Sequence, residues 1–195
     1  MSNKQLYIVS GCNGAGKTTA SYTVLPKILQ CQEFVNADEI ARGLSPFNPE
    51  SVAIEAGRLM LSRIKDLLQK GVSFSIETTL ATRSYSNLVK EAQNKGYNVK
   101  LLYFWLHSPS LAEQRVAERV SKGGHNIPID VIRTRYYHGI KNLFNIYMPI
   151  VDSWNIVDNS TVPREIVAEG GLDKDFIIYN QLKFELIRSY VGQRI

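Results

Sequence analysis

The strongest constraint on this chain is a strand–loop–helix succession at its start. The apolar run Leu6-Tyr7-Ile8-Val9 leads directly into Gly11-Cys12-Asn13-Gly14-Ala15-Gly16-Lys17-Thr18-Thr19. The loop fits the G-x-x-x-x-G-K-[ST] pattern of phosphate-binding loops. Each residue type has a physical reason to be there. Glycines let the backbone wrap a polyphosphate with its N–H groups turned inward, where a Cβ would obstruct. A helix opening from such a loop turns its unpaired amides and its dipole toward the anion. Lys17 can reach the β- and γ-phosphates, and the Thr18 hydroxyl can ligate Mg²⁺. The pattern predicts a nucleoside triphosphate site held by Gly11, Asn13, Gly14, Ala15, Gly16, Lys17, Thr18 and Thr19, with Thr18 as the metal ligand.

The chain has 195 residues, enough for a single domain with an ordinary core. Hydrophobic content of 44% against 21% charged residues describes a globular protein rather than a disordered one. The longest apolar stretch, Val99 to Leu106, contains Lys100 and is too short to span a bilayer. No secretory leader is visible, and two cysteines, Cys12 and Cys31, suggest a reduced, cytoplasmic setting. Cys12 reads as a small residue at a variable loop position. A net charge of +5 suits an anionic ligand, but the basic residues are scattered. The absence of a basic strip interleaved with aromatics argues against nucleic acid.

Beyond the first loop, strand-like and helix-like stretches alternate. Strands are expected at 6–10, 34–36, 72–76, 99–106 and 154–157. Helices are expected at 17–29, 51–69, 85–95, 110–122 and 129–147, with Gly71 and Gly96 as stops. Ser110 and Glu113 form a capping-box pattern. The alternation predicts a three-layer α/β/α phosphate-loop hydrolase or kinase fold with a mostly parallel sheet, its ligands at the carboxyl ends of the strands. We expect one domain over 1–195, with a core of about 6–160. The tail is less legible: 164–168 reads as a strand and 173–190 leans to a helix.

Polar residues at the strand ends are the remaining chemical candidates. Asp38, in Val35-Asn36-Ala37-Asp38-Glu39-Ile40, can take the proton of an acceptor hydroxyl or, equally, cap the next helix. Glu39 is the weaker candidate base. Glu77 leaves a buried strand and must meet a cation, a hydroxyl or a metal-bound water. Thr78 and Thr79 can contact a ligand or cap the loop. Arg115, Arg119, Arg133 and Arg135 flank Gly123-Gly124 between two helices, which suits either a mobile lid over phosphates or a solvated basic face. Arg119 is the foremost of them, and His125 suits a loop hydrogen bond. Asp158-Asn159-Ser160 suits either an adenine contact or an Asx-type turn.

Five motifs in order, GCNGAGKTT, VNADEIA, FSIETTL, RVAERVSKGGHNIP and VDNS, resemble the zeta toxin family of phosphate-loop kinases, in its short single-domain branch. The resemblance runs from about Leu6 to Ser160. It implies that Asp38 is the base, that Glu77 contacts the acceptor and that Arg119 grips the transferring phosphate. It further implies ATP as donor, a UDP-amino-sugar as acceptor and an antitoxin that blocks the nucleotide site. Two departures stand out. The chain is shorter than well-studied members, and His125 stands where a second lid arginine would align, with Arg133 or Arg135 as possible compensation.

The expected function is therefore an ATP- and Mg²⁺-dependent transfer of phosphate to a hydroxyl of a small anionic metabolite. Lys17, Asp38 and Arg119 would carry the chemistry, and Glu77, Thr78 and Arg133 would bind the acceptor. Two other classes stay open: a non-catalytic ATP-binding module that works through a partner, and a polynucleotide kinase. The sequence contains neither an Asn-Lys-x-Asp guanine motif nor an ABC-type signature.

Overall fold

Four consecutive residues of the first strand, Leu6, Tyr7, Ile8 and Val9, are at most 5% exposed, so both faces of that strand are covered. In this computed structural model, which describes residues 4–124 and 126–192, the strand is β1 (Lys4–Ser10) and lies inside a sheet. It pairs in parallel with β3 (Phe74–Thr78) on one side and β4 (Tyr97–Trp105) on the other. The parallel set is completed by β2 (Glu33–Val35) beyond β3 and β5 (Ser153–Asp158) beyond β4. Two antiparallel strands, β6 (Glu165–Gly171) and β7 (Lys174–Ile178), extend the β5 edge. The sheet order is β2-β3-β1-β4-β5-β6-β7. Near-continuous apolar strands with helices between them have no other way to bury both faces, and the mostly parallel α/β fold follows.

The helices are α1 (Lys17–Lys27), α2 (Ala37–Leu44), α3 (Ala53–Lys70), α4 (Tyr85–Asn94), α5 (Pro109–Ser121), α6 (Ile129–Asn142) and α7 (Gln181–Ser189). Their apolar stripes, such as Ala56, Met60, Ile64, Leu67 and Leu68 of α3, join the core. Gly71 ends α3 in the left-handed conformation, as its position after the last apolar residue predicts.

Two expectations change. Helix α5 starts earlier: Ser108, not Ser110, is the cap, and its side chain accepts from the Leu111 N–H. Pro109 is the reason, because it fits the first helical position and holds the residue before it extended. Glu113 is then no capping-box partner and pairs with Arg133 instead. The stretch 173–190 is not one helix but β7 followed by α7. Asn180 divides them, its side chain accepting from the Lys183 N–H. Phe176 of β7 packs on Trp154 and Phe184, which gives that strand an apolar anchor that local periodicity does not reveal.

Helix α6 is seated by two contacts. The Tyr136 hydroxyl donates to the Leu106 carbonyl at 2.7 Å and accepts from the Trp105 ring N–H at 3.1 Å. One turn on, Gly139 lies so close to the loop after β3 that a Cβ would stand 2.7 Å from the Thr79 carbonyl oxygen. Gly139→Ala is expected to push α6 outward and cost about 1–3 kcal/mol, read as a lowered urea midpoint. An unchanged midpoint would show that the helix shifts without cost.

Candidate active site

The loop after β1 is shaped by its neighbours as well as by its glycines. Gly11 has φ +138°, and a Cβ there would lie 2.2 Å from the Phe104 carbonyl oxygen, so no other residue fits. Gly14 and Gly16 are left-handed, at φ +77° and +76°. Lys17 opens α1 and folds back over the loop, its ammonium donating to the Cys12 carbonyl at 3.0 Å. Burial pushes the Cys12 thiol up to about 11, so it remains a protonated packing residue.

Glu77, on the last turn-out of β3, is the meeting point of this loop with the next. Its carboxylate lies 3.7 Å from the Lys17 ammonium, with both side chains under a tenth exposed. Both its oxygens accept from the Thr18 hydroxyl, at 3.0 and 2.9 Å, and Oε2 also accepts from the Asn36 amide at 3.0 Å. Burial raises the Glu77 pKa above its ordinary value. Lys17 and Thr18 oppose the rise, and the nearby carboxylates of Asp38 and Glu39 add to it. The expected partner for a carboxylate leaving a buried strand is thus both a cation and a hydroxyl.

Asn36 is not among the candidates read from the sequence, although an Asn two residues ahead of an acidic helical turn is a cap pattern. Its side-chain oxygen accepts from the Asp38 N–H at 2.8 Å, so Asn36, not Asp38, caps α2. Asp38 is thereby released from capping and lines a cleft of about 1290 Å³ together with Lys17, Thr18, Glu77 and Arg119. Glu39 lines the same cleft, but its carboxylate accepts from the Tyr22 hydroxyl at 3.4 Å and lies 3.5 Å from Arg42.

The far wall comes from α5 and α6. Arg115, Arg119 and Arg135 all line the cleft. Arg135 also reaches the phosphate loop, donating to the Asn13 side-chain oxygen at 3.2 Å. Arg133 does not reach it: its guanidinium is tied to Glu113 at 2.7 Å on the exposed side of α6. Thr78 is turned away too, its hydroxyl oxygen accepting from the Leu80 N–H. Thr79 makes the corresponding turn with Ala81.

The paired glycines read differently in three dimensions. The Gly123 N–H bonds the Val120 carbonyl and the Gly124 N–H bonds the Arg119 carbonyl, which is the Schellman closure of α5. A Cβ on Gly124 would stand 2.5 Å from Arg119 Cγ, so Gly124 packs against Arg119, whereas the space beside Gly123 is open. His125 lies outside the described residues. Asp158 makes the Asx-type turn, accepting from Ser160, while Asn159 donates to the Ala15 carbonyl at 2.7 Å.

Residues 2–161 match the sequence profile described as zeta toxin. The chain belongs to the zeta toxin family. A protein of Haemophilus influenzae is 30% identical over 136 residues, covering 70% of this chain and 94% of that one. Among solved structures, the AvrRxo1-ORF1:AvrRxo1-ORF2 complex with sulphate ions superimposes with a TM-score of 0.77 at 16% identity. That match covers 99% of this chain, which spans 66% of the matched one. The PezAT chromosomal toxin–antitoxin system of Streptococcus pneumoniae gives 0.68 at 18%, covering 97% and 85%. At such identities the likeness is one of fold, and the fold is that of phosphate-loop kinases.

The raised Glu77 pKa has a signed consequence for this zeta toxin family member. Between the unfolded value near 4.5 and the higher folded value, the folded chain binds the proton that the unfolded chain has lost. Stability therefore falls as pH rises through that window, by about 1.4 kcal/mol per unit of separation. Urea midpoints of the nucleotide-free protein are expected to show this fall, and Glu77→Gln to flatten it. An equal slope in the variant would assign the effect to other groups.

Proposed function

We propose that this zeta toxin family member is an ATP-dependent phosphotransferase acting on a hydroxyl of a small anionic metabolite, with a UDP-amino-sugar as leading candidate. One observation carries the reading: Lys17, Thr18, Glu77, Asp38 and Arg119 line a single cleft at the carboxyl ends of β1 and β3 and the start of α2. A cleft that places a phosphate loop opposite an uncapped aspartate and an arginine wall has the parts that phosphoryl transfer needs.

The residues present fit a magnesium–nucleotide complex. Thr18 offers a hydroxyl already in contact with a buried carboxylate, Glu77, and both are hard oxygen donors at the mouth of α1. Bound there, Mg²⁺ would neutralise phosphate charge and orient the γ-phosphoryl group. The Lys17 ammonium, freed from the Cys12 carbonyl, holds the β- and γ-phosphate oxygens. Asp38 orients the acceptor hydroxyl and takes its proton as the oxygen attacks the γ-phosphorus, the bond to the β–γ bridging oxygen breaks and ADP leaves. Arg119 and Arg135 face the transferring group across the cleft and offset its charge. Positioning and charge neutralisation supply most of the rate in such chemistry. The family setting adds a second proposal, an antitoxin protein that covers the cleft.

The test is transfer of labelled γ-phosphate from ATP into a metabolite extract enriched in UDP-sugars. A labelled product is expected with the native protein. Asp38→Asn should keep ATP binding but lose transfer by about 10²–10⁴-fold, the range for one acid–base group. Lys17→Ala should instead weaken nucleotide use. Normal transfer by Asp38→Asn would remove the base assignment. ATP binding with no product in any acceptor pool would favour the non-catalytic, partner-binding reading.

A further inference from the structure

Asn159 follows β5 and reaches across to the phosphate loop from a strand the loop does not pair with. It is only 9% exposed, and its amide makes two bonds of opposite sense. The side-chain N–H donates to the Ala15 carbonyl at 2.7 Å, and the side-chain oxygen accepts from Arg164 Nε at 2.8 Å. A carbonyl can only accept and a guanidinium can only donate, so these neighbours permit a single orientation of the amide. Its own backbone N–H is fixed to the Trp105 carbonyl at 2.9 Å. Arg164 is held in turn with its guanidinium 5.8 Å above the Phe104 ring. Gly16 leaves room for all this: a Cβ there would lie 2.6 Å from Asn159 Nδ2.

The consequence lies in the peptide between Ala15 and Gly16. In a trans peptide the C=O and N–H point to opposite sides. Asn159 draws the Ala15 carbonyl to its own side, so the Gly16 N–H is turned the other way, toward the cleft that Gly16 lines. Glycine adopts positive and negative φ with nearly equal ease, so the backbone at Gly16 does not by itself choose which group faces a ligand. A carbonyl turned into the cleft would repel an anion that the N–H would bind.

We propose that Asn159 is a positioning residue that sets the polarity of the phosphate loop, locking the Ala15–Gly16 peptide with its N–H toward the polyphosphate, and that Arg164 fixes the amide that does so. The inference rests on the reading of the cleft as a nucleotide site. It also gives the tail a role. The buried Asp158 beside Asn159 is paired with Lys183 of α7 at 2.6 Å, and Arg115 donates to the Ser160 carbonyl at 3.0 Å. The loop that carries Asn159 is thus braced from the C-terminal helix and from the cleft wall.

The experiment measures Mg²⁺·ATP affinity by calorimetry for the native protein, Asn159→Ala, Arg164→Ala and the double variant, with thermal unfolding alongside. Asn159→Ala is expected to weaken ATP about tenfold, the loss of one hydrogen-bond-scale preference. The weakening should appear in the ATP KM, with kcat at saturating ATP largely kept. Arg164→Ala should give a smaller loss of the same kind, and the double variant no more than Asn159→Ala alone. Native ATP affinity in a folded Asn159→Ala protein, or a lowered Tm with affinity unchanged, overturns the proposal. If Asn159→Ala does not fold, exposed Arg164 carries the test, and unchanged affinity in Arg164→Ala overturns it. A native protein that binds no ATP overturns the nucleotide reading itself.

Discussion

A buried carboxylate holds this molecule's working parts together. Glu77 leaves the water-free centre of the sheet at the end of β3, where an unpaired charge is costly. It is matched there by the Lys17 ammonium, the Thr18 hydroxyl and the Asn36 amide. These partners come from the phosphate loop and from the start of α2, so one side chain joins the ends of β1, β2 and β3. Its neighbours raise or lower its proton affinity in competition, and burial prevails.

The rest of the cleft follows from close approaches. Gly11 admits the Phe104 carbonyl, Gly16 admits the Asn159 amide and Gly139 lets α6 settle on the loop after β3. The last of these brings Arg135 within reach of Asn13. The Schellman closure at Gly123-Gly124 does similar service for Arg119, against which Gly124 packs at the end of α5. A cationic wall built on helices is better defined than one carried on a loose lid, and preorganised charge is what phosphoryl transfer rewards.

Much of this was legible in the chain. The phosphate loop could be read because its requirement is local: glycines, a lysine and a hydroxyl in fixed succession. The parallel sheet was legible because fully buried strands are apolar runs and helices have their own period. Element ends were less so. Ser108 outranks Ser110 as a cap because Pro109 fixes the backbone, and β7 was hidden because its anchor, Phe176, packs against residues far away in sequence. The strand-end carboxylates were visible as candidates, yet their roles were not. The cap pattern at Asn36 is local and frees Asp38 from capping, but only the fold turns Asp38 to a cleft.

The sequence by itself determined that a phosphate-binding loop joins a buried strand to a helix, and that the sheet around it is mostly parallel, because both depend on residue types at short, regular spacings. Only the tertiary structure decided which arginines face the cleft, where Arg119 and Arg135 do and Arg133 does not. It alone brought Glu77 and Asn159 to the same loop from two different strand ends, with Asn36 joined to it through Glu77. Those meetings depend on the order in which strands pair and on the depth to which helices sink, and neither quantity is written in any one stretch of chain.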